Sequence, residues 1–326
     1  MHINAIERVV AVCLGAAWCA VAMAQSFPSK PVKFVVGFAP GGGGDVIARI
    51  VASKLPEHLE QQVVIENRPG ATGTVAANLV SKSAPDGYTL LIGATSTNSI
   101  APSLYPNLPY NNEKDLVGVT LLASLPNLVV VHPSLGIGTL KDLIAFAKSN
   151  PGKLTFPSAG NGSTPHLAGE LFKMLTGTNL VHVPYKGAGQ SVSDLLSGEV
   201  TVSFDTTGTI INYVNAGRLR ALAIATPKRF PLIPNVPTAS EAGLAGYEVA
   251  TWIGLFAPAA TPRPIVHKLH ADIARVLALP EIRDKLKNQL GCDDTATDSP
   301  EQFDSLVKSD TEKYAKLIKS LKIRLD

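Results

Sequence analysis

An apolar, β-branched run, Val32-Lys33-Phe34-Val35-Val36-Gly37, leads into four consecutive glycines, Gly41 to Gly44, and then into a helix-forming stretch, Val46 to Leu55. A buried strand, a glycine loop and a helix in that order open a βαβ unit, and the order recurs along the chain. Gln62 to Glu66 predicts a second strand, Thr74 to Ser81 a helix and Thr89 to Ile92 a third strand, preceded by the turn signal Pro85-Asp86-Gly87. The pattern then restarts, with strands at Asn127 to His132, Leu154 to Pro157, Val200 into Asp205, and Arg220 to Ala225. Between them a helix begins at Thr139, at capping-box spacing from Asp142, and another at Thr164-Pro165, with Pro in the first helical position and a stop near Gly177. From Pro262 onward the chain turns helical. Ile265, Leu269, Ile273 and Val276 share one helix face, and Ser299-Pro300-Glu301-Gln302 opens a last helix in which Phe303, Leu306, Tyr314, Leu317 and Leu321 recur at helical spacing. The expected fold class is α/β, with a mostly parallel central sheet in each of two closely joined lobes.

A length of 326 residues is consistent with two domains. A net charge of +3, with 17% charged residues, excludes a disordered chain and gives no reason to expect nucleic-acid binding. At the N-terminus, a short stretch carrying Arg8 is followed by the apolar run Val9 to Ala22 and by Ala22-Met23-Ala24, the layout of a secretory leader (residues 1–24) cleaved before Gln25. The run is short for a membrane span, and Trp18 before Cys19 does not make a lipobox. Cleavage removes Cys13 and Cys19 and leaves Cys292, which reads as a small structural thiol without an internal disulfide partner.

Chemistry concentrates where strands run into helices. The loop Phe38 to Asp45 brings bare backbone and a helix start together, an anion site in principle. It lacks the Lys-Ser/Thr of a phosphate-binding loop, and Val46 stands where a dinucleotide fingerprint needs its third glycine. Asp45 is placed to cap the following helix, with a ligand contact as the second reading. Ser158-Ala159-Gly160-Asn161-Gly162-Ser163-Thr164-Pro165-His166 repeats the same logic in the second half, and neither loop contains Lys or Arg. No nucleophile elbow is present, and His166 with Glu170 lacks the further ligands of a metal site, so His166 reads as a cleft-lining or capping residue. His182 and His132 read as ordinary surface or core histidines. Lys186 reads as a solvated charge, and Asp205 either as an acceptor for a ligand amine or hydroxyl or as a cap for a helix starting near Thr209. No metal or cofactor is expected.

Six ordered motifs carry a resemblance over essentially the whole mature chain. They are Phe38-Ala39-Pro40-Gly41-Gly42 with Asp45 and Arg49, Val64 to Ala71, Pro85 to Leu90, Val183-Pro184-Tyr185-Lys186-Gly187, Pro237 to Gly243, and Trp252 to Pro258. The chain resembles the substrate-binding proteins of tripartite tricarboxylate transporters, the Bug receptors. The resemblance implies a periplasmic, two-lobed (Venus-flytrap) receptor whose chain crosses between lobes twice, near Ser124 and Thr251. Lobe 1 then comprises residues 25–124 plus 252–326 and lobe 2 residues 125–251. It implies a ligand held by main-chain groups, small polar side chains and water rather than by an arginine clamp. The family's ligand loops fall on Pro40, Gly41, Gly42, Gly43 and Asp45; on Thr95, Ser96 and Asn98; on Ser158, Gly160, Asn161, Ser163, Thr164 and His166; and on Tyr185 and Asp205. Gly44 stands where many relatives carry Thr or Ser, which removes a hydroxyl. The implied partners are a small organic carboxylate (dicarboxylate, tricarboxylate, aromatic acid or amino acid) and membrane transporter subunits, with the receptor a monomer. Two other functions fit the same architecture: a receptor presenting ligand to a membrane sensor, and a secreted α/β enzyme.

Overall fold

The computed structural model describes residues 27–185, 187–292, 295–321 and 323. The expected leader, its expected cleavage site and Lys186 lie outside them.

Strands β1 (Val32–Val36), β2 (Val63–Asn67) and β3 (Thr89–Ala94) are parallel, with β1 between the other two. Helix α1 (Gly43–Ala52) connects β1 to β2, and α2 (Thr74–Ser81) connects β2 to β3. In the second half β5 (Thr155–Ser158) and β6 (Val181–Pro184) are parallel around the crossover helix α4 (Thr164–Thr176); α3 (Leu140–Ser149) precedes β5 and α5 (Ala188–Ser197) follows β6. Each of these parallel pairs is joined through a helical crossover, because only a crossover returns the chain in the same direction.

The sheet as a whole is mixed rather than mostly parallel. β4 (Leu116–Val131) and β9 (Ala250–Pro258) pair antiparallel with each other, and β9 runs antiparallel to β3. The far end of β4 pairs antiparallel with β7 (Val202–Thr206) and β8 (Arg220–Ile224). β4 is a single 16-residue strand of which the apolar pattern predicts only the last part. Gly118 and Pro126 interrupt its pattern, and register shifts between Gly118/Thr120 and Leu121/Ala123 break the strict alternation of faces.

Each half has its own core. One gathers Val32, Phe34, Val36 and Ile47 with Leu269, Ile273 and Val276 of α7 (Arg263–Ala278). The other gathers Val129, Phe156, Phe172, Phe204 and Tyr247. Helix α6 (Thr207–Asn215) follows β7 and covers a further cluster with Leu128 and Val130.

The last helix, α8 (Pro300–Leu321), lies across both halves. Phe303 and Val307 pack with Trp252 and Phe256 of the first, Leu317 packs against the second core, and Tyr314 and Ile318 close a cluster with Ile100, Leu104 and Leu167. Polar bonds follow the same path. Trp252 Nε1–H donates to Asp310 (2.7 Å) and Gly118 N–H to Asp304 (2.7 Å), while Lys313 Nζ donates to the Glu248 carbonyl (3.2 Å). Leu306, expected in the buried stripe, is exposed, and Val307 takes the inward place one residue on.

Candidate functional site

The C-terminal ends of β1 and β3 lie side by side, so the loops that leave them are neighbours. Gly73, after β2, is wedged between them, with φ +93° and its Cα packed against Gly37 on one side and Thr97 on the other. A side chain there would strike the Thr97 hydroxyl.

The glycine loop is held from within. Gly41 has φ +79°, in the left-handed region that glycine adopts readily, and Gly42 N–H donates to the Ala39 carbonyl (3.1 Å). Gly42, not Asp45, is the N-cap of α1. Asp45 sits inside the first turn, 2% exposed, and reaches back to accept the Gly41 N–H (2.8 Å), Arg49 Nε–H (2.9 Å) and the Asn67 amide (2.8 Å). Asn67 also donates to the Phe38 carbonyl (3.0 Å), so β2 supplies the brace for a loop that leaves β1. Burial alone raises the Asp45 carboxyl, but the bonds from Arg49, Asn67 and Gly41 outweigh it and hold it below the ordinary carboxylate range.

With Asp45 turned backward, the N–H groups of Gly43, Gly44 and Asp45 at the start of α1 have no partner among the described residues. Pro40, Gly41 and Gly43 are exposed at its mouth. The ring of Phe38 lies over Gly44, where a Cβ would fall 2.7 Å from Cδ2. The place of the missing hydroxyl is therefore taken by an aromatic face.

After β3 the chain makes a π-helical turn, Thr95 to Ile100, buried throughout. Thr95 and Asn98, expected at a ligand loop, are buried and bonded within the protein. Thr95 Oγ1 accepts the Trp252 N–H (2.8 Å), and the Asn98 amide donates to Asn112 (2.7 Å). The Ser96 hydroxyl and the buried Asn98 Oδ1 have no partner among the described residues, and the first N–H groups of the turn lack intrahelical acceptors.

In the second half Ser158 ends β5. Its hydroxyl bridges the Gly160 N–H and C=O (3.1 and 3.0 Å) and meets His182 Nε2 at 2.7 Å. Ser163 is the N-cap of α4, and its hydroxyl turns to the Gly160 carbonyl (2.7 Å). Pro165 is the second helical residue rather than the first, and brings no N–H. His166 is a capping residue of an unusual kind, its Nδ1 accepting the Gly162 N–H (3.1 Å). The N–H groups of Thr164 and His166, the Thr164 hydroxyl and the exposed Asn161 amide are left without partners among the described residues.

Tyr185 N–H donates to the Ser158 carbonyl (3.0 Å), and its phenol donates to Asp194 (2.7 Å), an arrangement that, with burial, pushes the hydroxyl up to about 12. Asp205 lies at the end of β7, nearly buried, and accepts the Thr206 N–H (2.7 Å) at the start of α6. Burial pushes its carboxyl up to about 6, and bonds from Thr206 and Thr209 offset this only in part.

Register brings the two sets of strand ends together. Thr95 bonds Trp252, which pairs with Ser124 of β4, and Thr206 pairs with Asn127 of the same strand. Three residues of strand separate them, about 10 Å. The Thr95–Ile100 turn also meets α4 through the contact cluster of Ile100 and Leu167. Two cavities, one beside Tyr105 and Tyr110 (about 380 Å³) and one beside Val214 and Leu219 (about 310 Å³), include none of these loops. Among the described residues no cluster of His, Cys, Asp or Glu is placed to hold a metal ion. Cys292 is buried, its thiol pushed up to about 12, in keeping with a structural role.

Asp205 yields a measurable consequence. Its carboxyl is raised in the folded state, so the native protein holds a proton that the unfolded chain releases near pH 4. Its contribution to stability therefore falls as pH rises from about 4 to about 6 and stays lost at neutral pH, by about 3 kcal/mol at most. Asp205→Asn is expected to raise the melting temperature at pH 7.5 and to remove that slope. An unchanged slope in thermal melts from pH 4 to 7 defeats the assignment.

The family model described as "Tripartite tricarboxylate transporter family receptor" matches residues 47–323. A solved structure described as a periplasmic transporter superposes with a TM-score of 0.86 at 38% identity, over 92% of this chain and all of that one. Rpa4515 of R. palustris, solved with adipate, gives 0.86 at 36% identity over the same shares. MatC (Rpa3494) of Rhodopseudomonas palustris, solved with bound malate, gives 0.81 at 34% identity over 90% of this chain and all of that one.

Proposed function

Because the chain belongs to the receptor family of tripartite tricarboxylate transporters, we propose that it is a periplasmic receptor that captures a small organic carboxylate between its two halves and delivers it to a tripartite-type membrane transporter. It is a binding protein and not an enzyme, as the family is one of receptors. The two halves are residues 25–124 with 252–326, and residues 125–251.

One observation carries the ligand class. The helix starts at Gly43, Thr95 and Thr164 offer N–H donors, joined by the Ser96 and Thr164 hydroxyls, without partners among the described residues, and the described residues of those loops include no Lys or Arg. Oriented N–H groups at helix starts favour an anion, each bond to a charged group contributing ~1.5–3 kcal/mol. A handful, less the costs of association, supports micromolar affinity, about −8 kcal/mol. Within the proposed contact set, Gly43, Ser96, Asn161 and Thr164 face the ligand. Asp45, Thr95, Asn98, Ser158 and Tyr185 hold the loops in place. Adipate in Rpa4515 and malate in MatC support a dicarboxylate. Closure follows where one ligand bonds both halves, because only then is the closed state preferred.

The test is a thermal-shift panel on the chain from Gln25, refolded to strip carried ligand, with mono-, di- and tricarboxylates, aromatic acids, amino acids and neutral controls. At ~100 times Kd a ligand adds ~2.7 kcal/mol, a shift of several degrees. A shift confined to dicarboxylates is the expected result. A folded protein that no acid stabilises overturns the reading.

A further inference from the structure

Two histidines lie under the Ser158–Ser163 turn, one from each flank. His166 comes from the first turn of α4 and His182 from β6, and their rings stack with centroids 4.1 Å apart and 21° between planes. His182 lies in turn on Phe156, at 5.0 Å and 30°. Phe156 presses on α4 at Gly169, where no side chain fits beside the ring. The stack therefore ties β5, β6 and α4 into one unit beneath the turn.

Each ring holds one end of that turn. His166 Nδ1 accepts the Gly162 N–H at 3.1 Å, and His182 Nε2 meets the Ser158 hydroxyl at 2.7 Å, the same hydroxyl that grips Gly160. An imidazole that accepts at Nδ1 is neutral and carries its proton on Nε2. The charged groups facing the pair are Glu170 and Lys173, both on α4 and bonded to each other at 2.8 Å. Burial disfavours charge on either ring, and for His182 the neighbouring His166 and Lys173 add to it, pushing it down to about 3.

This leaves a particular set of donors at the start of α4. Gly162 N–H is taken by His166, Ser163 N–H by the Gly160 carbonyl (3.2 Å), and Pro165 has none. Thr164 and His166 N–H remain, two donors for the two oxygens of one carboxylate.

We infer that His166 and His182 are positioning residues for ligand capture, a stacked neutral pair that fixes the 158–163 turn so that Thr164 and His166 N–H are presented to the ligand while Gly162 N–H is withdrawn. The clause about the ligand rests on the proposed receptor function; the clause about the turn does not.

The test has one arm for each clause. Without ligand, long-range proton–nitrogen NMR at pH 7 is expected to show His166 in the Nε2–H form, and amide exchange to show Gly162 protected. His166→Asn, whose side-chain oxygen can accept in place of Nδ1, is expected to keep that protection, and His166→Phe, which keeps only the stack, to lose it at least tenfold. An Nδ1–H or charged His166, or equal protection in the Phe variant, overturns the inference. With ligand, adipate and malate are titrated by calorimetry, together with any panel acid that stabilises the wild type. Affinity is expected to fall at least tenfold in His166→Phe and to stay within threefold in His166→Asn; equal affinity in both overturns it. If His166→Phe does not fold, His182→Phe replaces it, with the same loss of affinity expected and Ser158 as the freed partner. A wild type that binds no acid defeats the receptor reading alone, and the first arm then decides the inference about the turn.

Discussion

Replacing Asp45 with alanine is expected to lower stability by about 3 kcal/mol, roughly 6–10 °C in melting temperature, and to weaken carboxylate binding at least tenfold. Three donors converge on this buried carboxylate: Gly41 N–H, Arg49 Nε–H and the Asn67 amide. Alanine leaves all three without it, and Gly41 loses the bond that ties it to the first turn of α1. The start of α1 then no longer presents its N–H groups in a fixed direction, so binding and stability fall together. Because the bonds hold the Asp45 carboxyl below its unfolded value, its contribution is present above about pH 4 and is lost as pH falls through the folded value. Asp45→Asn preserves the shape without the charge and is expected to fall between. Melts and titrations on the three proteins decide it, and an alanine variant that melts and binds like wild type sinks the latch.

Phe303→Ala is expected to separate what Asp45→Ala joins. Its ring is fully buried on Gly254, edge-on to Trp252 at 5.5 Å and tilted on Phe256 at 5.2 Å. Truncating such a ring costs about 4 kcal/mol, since Gly254 and Gly118 carry no side chain to fill the void. The melting temperature should drop by about 10 °C, while affinity measured well below it should not change, because none of the proposed ligand groups touches the ring. A folded Phe303→Ala protein with a tenfold loss of affinity would show that α8 shapes the site directly.

The donors at α1 and α4 were legible because they follow from local order: a strand, small residues, a helix start. What those donors are braced by was not. Asp45 before an apolar run reads as an N-cap, but the glycines let the helix begin at Gly43 and place Asp45 in its first turn. Its brace, Asn67, stands in a motif of its own, and only the parallel register that sets Asn67 beside Val36 brings the two together. His182 read as ordinary for the same reason, since β5–β6 pairing puts it opposite Phe156 across a crossover helix. The resemblance places a ligand loop on Thr95 to Asn98, and nothing in the sequence shows that these residues form a buried π-turn. The first eleven residues of β4 are not legible in the sequence because its glycine, proline and register shifts erase the period-two pattern that marks strands.

The helix that lies across both halves sets an order of events. Residues 300–321 leave the ribosome after the elements they cover, and they contribute Phe303 and Val307 to one half and Leu317 to the other. Until they emerge, Trp252 and Phe256 lack their cover and the cluster of Ile100, Leu104 and Leu167 stays open. A nascent chain of this sequence therefore remains short of its final state until residues 300–321 are free to pack.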